Sequence, residues 1–186
     1  MEGLINKLSG SRCYLCGPID CAIDGGTTWR HQVTLFLKQN NIIVIDPTNK
    51  PTEDLNEDSE FILYKRELRK CKKWDKLSSL MKKIRSFDLR CTDISDWSIA
   101  YLDYSIPMNG TYEEIFTLNR SKKPVLLFCE QGIDKIGDWF FGTLPHQLFF
   151  DEWDKLYQYI LDINNGTITD TLNRWVFFNY KDLINA

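Results

Sequence analysis

Residues 12–47 read RCYLCGPIDCAIDGGTTWRHQVTLFLKQNNIIVIDP, and their order decides the fold. Arg12 to Cys16 is a short apolar run closed by Gly17-Pro18, which reads as a strand with a turn after it. Asp24-Gly25-Gly26 is a loop signal. Thr27 or Thr28 is placed to cap a following helix, on which Trp29, Val33, Phe36 and Leu37 share one face. Ile42 to Ile45 is a β-branched run, expected to be a strand buried on both faces and ended by Asp46-Pro47. Strand, helix, strand within 36 residues is the opening of a parallel α/β sheet.

The rest of the chain continues that rhythm. Residues 51–60 are acidic and polar, which predicts a loop. Phe61 to Lys73 and Trp74 to Arg85 read as helices, forming a helical insertion at about 55–86. Trp97 to Leu102 and Pro124 to Cys129 read as strands, with a helix at Thr111 to Asn119 between them. Residues 130–147 read as a Gly-rich loop, Phe149 to Ile163 as a long helix, and Trp175 to Phe178 as a late strand. The 186 residues suit one domain spanning 1–186. The predicted fold class is α/β, a parallel sheet flanked by helices.

Composition narrows the function. No apolar run reaches about 18 residues, so no membrane span is expected. Met1 to Ser11 is polar and lacks a secretory core, which predicts a cytoplasmic protein. The six cysteines suit that reducing compartment. Cys13 and Cys16 have C-x-x-C spacing, but residues three apart on a strand face opposite ways and cannot share an ion. With two histidines and no second cysteine pair, neither zinc nor another cofactor is expected. From Tyr64 to Arg90 there are eleven basic and three acidic residues, +8 against −11 for the remainder. Such a segment either attracts phosphate or is a solvated helix face.

In parallel sheets, ligands bind beyond the carboxyl ends of the strands. Those ends carry Tyr14 and Gly17-Pro18-Ile19-Asp20, then Asp46-Pro47-Thr48-Asn49, then Asp103, Met108-Asn109-Gly110-Thr111 and Glu113-Glu114. Asp88, Asp93 and Asp96 lie ahead of the third strand. No phosphate-binding glycine signature and no nucleophile-elbow serine is present. A rim of carboxylates suits glycosidic chemistry, with one as nucleophile on an oxocarbenium-like carbon and another handling the leaving-group proton. Thr111-x-x-Glu114 also has the spacing of a capping box, in which the glutamate serves the helix backbone. At a helix start the partial positive charge favours an ionised carboxylate.

Tyr14-Leu15-Cys16-Gly17-Pro18-Ile19 resembles the Y-x-x-G-P-I opening of the nucleoside 2-deoxyribosyltransferase superfamily. Gly110-Thr111-Tyr112-Glu113-Glu114-Ile115 resembles its G-T-x-x-E-[IL] helix start, and Lys122-Lys123-Pro124-Val125 the start of its next strand. The resemblance spans about residues 12–160 and implies a flavodoxin-like sheet. It implies Glu114 as the covalent nucleophile, Tyr14 as the residue orienting it, and Asp88 as the base-side acid, with Asp93 as second choice. Asp96 matches the family's acidic turn. Gly17, Pro18, Asp20, Asn49, Asp93, Asn109, Gly110 and Thr111 become candidate substrate contacts. The family's transferases carry Asp six residues before the nucleophile, and its deoxynucleotide N-hydrolases carry Ser. This chain has Met108, so the 5′ side of the sugar is recognised differently, by Asn109 or the basic insertion, itself a candidate lid.

The expected reaction is cleavage of a 2′-deoxynucleoside by Glu114, with transfer of the sugar to a second base. Hydrolysis of a deoxynucleoside 5′-monophosphate is the alternative, and a non-catalytic nucleotide-binding protein the third reading. Trp29, Tyr112 and Trp139 are candidates either for base stacking or for the core. The partner is a small molecule, a deoxynucleoside or deoxynucleotide and a nucleobase, rather than nucleic acid or membrane. Trp139, Phe140, Phe141, Phe149 and Phe150 either pack in the core or form the interface of a homodimer or higher homo-oligomer.

Overall fold

The computed structural model describes residues 6–50 and 59–178. Five parallel strands form one sheet: β1 (Arg12–Cys16), β2 (Ile43–Ile45), β3 (Trp97–Leu102), β4 (Val125–Cys129) and β5 (Phe149–Phe150). Their order is β2-β1-β3-β4-β5. This is the flavodoxin-like order, whose direction reverses between β1 and β3 and opens a crevice at their carboxyl ends.

The helices are α1 (Thr27–Gln39), α2 (Ser59–Lys70), α3 (Trp74–Ile94), α4 (Asn109–Arg120), the single turn α5 (Asp138–Phe141) and α6 (Trp153–Asn165). Strand periodicity distributes the core between two layers. Cys13, Leu15, Trp97, Ile99, Leu126 and Phe128 pack with Val33 and Leu37 of α1 and Leu156, Ile160 and Ile163 of α6. Tyr14, Cys16, Ala100, Leu102, Val125 and Leu127 face the other way, against Cys91 of α3 and Ile115 and Leu118 of α4. Cys13 and Cys16 therefore lie on opposite faces, and all six cysteines are free thiols.

Several sequence expectations change. Thr27 and Thr28 make no side-chain cap on α1. Asp24 does that work, accepting from the Gly26 and Thr28 amides at 2.8 and 2.9 Å. β2 is an edge strand rather than one buried on both faces, and Ile43 is half exposed. Phe149 and Phe150 are a fifth strand, and the helix expected from Phe149 begins only at Trp153. Residues 175–178 form a turn and no strand. Trp175 is wholly buried and packs on Trp97 with ring centroids 5.5 Å apart. Its indole N–H donates to the Tyr159 hydroxyl. The insertion is longer than expected, because α3 runs on to Ile94 and carries Asp88 and Asp93 with it. Of the acidic loop and insertion, residues 51–58 lie outside the described residues. No helix among the described residues is long and apolar enough to cross a membrane.

Candidate active site

A cleft of about 470 Å³ opens at the carboxyl edge beside β1. Its floor is the loop after β1, from Gly17 to Cys21. One wall is the start of α4, with Asn109, Gly110, Thr111, Glu113 and Glu114. The insertion helices supply the other wall, through Arg69, Met81, Ile84, Arg85, Asp88 and Leu89. The insertion is therefore part of the cleft and not an appendage.

Glu114 is the centre of the site. On α4, Thr111, Glu114, Ile115 and Leu118 follow the three- and four-residue spacing of a helix face, and all four are buried. That face packs on β1, where Tyr14 and Cys16 sit two residues apart and so point the same way. The Tyr14 hydroxyl donates to Glu114 Oε1 at 2.9 Å. The Cys16 thiol donates to Glu114 Oε2, also at 2.9 Å. The capping box does not form. The helix starts at Asn109, which makes Glu114 its sixth residue, and no side chain caps it. Glu114 is committed to the sheet rather than to its own backbone.

Electrostatics also differ from expectation. Glu114 lies beyond the first helical turn, where the helix dipole acts. Burial dominates and pushes its carboxyl up from 4.5 to about 7. The nearby Asp88 charge adds to the rise, while the Cys16 and Tyr14 donors and the Arg30 cation oppose it. Burial, joined by the Glu114 charge, drives the Tyr14 hydroxyl and the Cys16 thiol well above their ordinary values. Both therefore keep their protons at neutral pH and remain donors.

Asp88 lines the same cleft and pairs with the buried Lys50 ammonium at 3.1 Å. Asp20 pairs with Lys65 of α2, and Glu113 accepts from Arg85 Nε of α3 at 2.8 Å. These two ion pairs fasten the insertion to the cleft rim. Arg69 and Arg85 are exposed and line the cleft, Arg85 already paired with Glu113, while Lys70, Lys72, Lys73, Lys76, Lys82 and Lys83 are exposed outside its lining. Met108 is buried, and its sulfur accepts from the Asp103 amide at 3.1 Å.

Gly17, Pro18, Asp20, Asn109, Gly110 and Thr111 all line the cleft. Two candidates do not. Asn49 is exposed in the loop after β2 and outside the cleft lining. Asp93 is exposed at the end of α3, where Lys123 Nζ donates to its carbonyl and to that of Thr92 at 2.7 Å. One turn and a half beyond Asp88, it faces the amino ends of the strands. Asp96 also serves structure, accepting from the Arg12 amide and guanidinium and joining β1 to the start of β3. None of Trp29, Tyr112 and Trp139 lines the cleft. Trp29 stacks on Tyr101, Tyr112 packs on Phe140, and Trp139 is exposed. No group of three or more potential metal ligands occurs among the described residues.

Sequence reasoning missed three residues. Cys16 reads as inert until its two-residue spacing from Tyr14 is noticed. Arg30 is wholly buried, donating to the carbonyls of Leu15, Gly17, Pro18 and Gly26. It latches the loop after β1, and its signal is a charge beside Trp29 on an inward helix face. At Gly17 a Cβ would come 2.8 Å from the Trp29 ring, so this loop requires glycine there. Lys50 has no sequence signal, since its burial depends on where the β2 loop meets α3.

Fold and site together define a flavodoxin-like α/β protein with a tyrosine- and thiol-bound carboxylate at the sheet's switch point. No protein-family model and no curated protein matches the sequence. Among solved structures, a 2-deoxyribosyltransferase from the psychrotolerant bacterium Bacillus psychrosaccharolyticus superposes with a TM-score of 0.57 at 17% identity, over 80% of this chain and 92% of that one. A CMP N-glycosidase of Clostridium botulinum matches at 0.46 and 16%, over 82% and 98%. A 2-deoxyribosyltransferase of Leishmania mexicana matches at 0.48 and 16%, over 82% and 97%. The first of these shows a shared fold, a flavodoxin-like parallel sheet flanked by helices.

Proposed function

We propose that this protein cleaves the N-glycosidic bond of a 2′-deoxynucleoside and passes the deoxyribosyl group to a second base. The observation that carries this reading is the Tyr14–Glu114 hydrogen bond on the wall of a cleft large enough for a nucleoside. A buried carboxylate held by two donors, with no ion pair to a cation among the described residues, keeps electron density for attack. Glu114 forms a bond to C1′ as the C1′–N bond breaks and its electron pair leaves with the base. The Lys50–Asp88 pair, through a water, supplies the proton that the base takes up. A second base then attacks C1′ of the glutamyl ester, Glu114 leaves as carboxylate, and the incoming base returns its proton. Lacking a 2′-hydroxyl, the substrate reaches an oxocarbenium-like centre more easily.

One arrangement favours a second reading, hydrolysis of a deoxynucleoside 5′-monophosphate. Arg69 lines the cleft opposite the uncapped start of α4, beside the Arg85–Glu113 pair, a setting suited to phosphate. The sulfur of Met108 is engaged by the Asp103 amide and leaves the 5′ side to this cation. Incubation of a deoxynucleoside with a different free base, followed by chromatography, separates the readings. Exchanged nucleoside supports transfer, free base alone supports hydrolysis, and an unchanged mixture, repeated with the monophosphate, leaves only nucleotide binding.

A further inference from the structure

Tyr14 engages one oxygen of Glu114 only. The other is met by a cysteine, a residue type that sequence reading sets aside as packing. Cys16 is wholly buried in β1, and its single thiol proton has two acceptors within reach, Glu114 Oε2 at 2.9 Å and the Thr111 carbonyl at 3.6 Å. The nearer acceptor is also the charged one, and hydrogen bonds to charge are the stronger. The other groups acting on Glu114 are Asp88 and Cys91 from α3 and Arg30 from α1. None of these is hydrogen-bonded to it among the described residues.

We propose that Cys16 is a positioning residue for Glu114, its S–H fixing Oε2 while the Tyr14 hydroxyl fixes Oε1. Two donors on two oxygens set the carboxylate plane, where one donor would leave it free to rotate. They also favour the charged form of a group that burial would otherwise neutralise. The inference rests on Glu114 being the attacking group, and it adds the thiol as the second half of the cradle. The same strand face that positions the tyrosine positions the thiol, so a two-residue spacing on β1 builds the whole support.

The test is single-turnover release of base from a deoxynucleoside, measured across pH 5 to 9 for Cys16→Ala, Cys16→Ser and Glu114→Gln. Loss of a hydrogen bond to a charged group should move the acidic limb of the Cys16→Ala profile upward by about one pH unit. The rate then falls about tenfold near pH 6 and recovers above pH 8. Cys16→Ser restores a donor and should bring the profile back within about threefold of the native protein. A Cys16→Ala profile matching the native one overturns the inference. So does a loss equal at every pH and not rescued by serine, which is the signature of packing alone. If Cys16→Ala fails to fold, infrared spectroscopy of the native protein and Glu114→Gln reads the bond directly. One S–H stretch should rise in frequency when the charged acceptor is removed, and no change in any S–H band overturns the inference. Normal base release by Glu114→Gln would instead remove the attacking role of Glu114, a failure distinct from that of Cys16.

Discussion

Replacing Glu114 with Gln should stabilise the protein at alkaline pH relative to acid, while abolishing its chemistry. Burial holds the Glu114 carboxyl at about 7, against 4.5 when unperturbed. Between those values the folded chain keeps a proton that the unfolded chain has lost. Stability therefore falls as pH rises through this window, and levels off above it. At about 1.4 kcal/mol per pH unit, the gap amounts to about 3 kcal/mol for carrying the carboxylate above pH 7. Gln keeps the shape and the acceptor for Tyr14 but has an amide N–H₂ facing the Cys16 sulfur, an imperfect pairing costing about 1–2 kcal/mol at every pH. The variant should thus be less stable than the native protein by about 1–2 kcal/mol at pH 4.5 and more stable by a similar amount at pH 8. Urea unfolding followed by tryptophan fluorescence at the two pH values measures this difference. Parallel pH dependences for the two proteins would refute the reasoning, because they would mean that Glu114 titrates alike folded and unfolded.

Tyr14→Phe should slow the first step by about ten- to a hundredfold, less than Glu114→Gln, because it removes a donor and leaves the nucleophile; rapid-quench base release measures it, and a native rate would remove the orienting role. Glu113→Gln should be mild, within about threefold in rate, since its helix position faces Arg85 about 100° from Glu114. Turnover of a deoxynucleoside and its 5′-monophosphate by the native protein and Arg69→Ala tests the phosphate reading. Preference for the monophosphate that Arg69→Ala abolishes supports it, and better turnover of the nucleoside sinks it. At least a homodimer is expected, through Trp139 and Phe141, which are exposed, whereas Phe140, Phe149 and Phe150 belong to the core. Light scattering showing a monomer at micromolar concentration would count against it.

The fold was legible because strand–helix alternation survives in single-sequence patterns. β1, β3 and β4 fall where their apolar runs predict them. β5 was hidden because two residues are too few to show alternation, and Phe149-Phe150 joins smoothly to the helical spacing beyond. The apolar run at Ile42 to Ile45 signals a strand but not its place, and an edge position follows only from the sheet order. At the site, Tyr14, Asp88 and Glu114 were named from strand ends and resemblance; Asp88 and Glu114 line one cleft, and Tyr14 lies behind it, bonded to Glu114. Asn49 and Asp93 were named on the same grounds and lie outside it, since strand-end proximity does not fix direction. The capping-box spacing at Thr111 misled because the helix begins two residues earlier, at Asn109. Lys50 and Arg30 owe their roles to tertiary burial, which no local pattern records.

Covalent attack by Glu114 is tested most directly by trapping. A 2′-fluoro-2′-deoxy-arabinosyl nucleoside should form the ester but hold it, because fluorine destabilises the cationic transition state of the second step. Intact mass spectrometry should then show one added sugar per chain, and peptide mapping should place it on Glu114, between Gly110 and Arg120. The adduct should be missing from Glu114→Gln. An adduct on another residue, or turnover of native substrate with none trapped and with activity surviving in Glu114→Gln, would contradict the account.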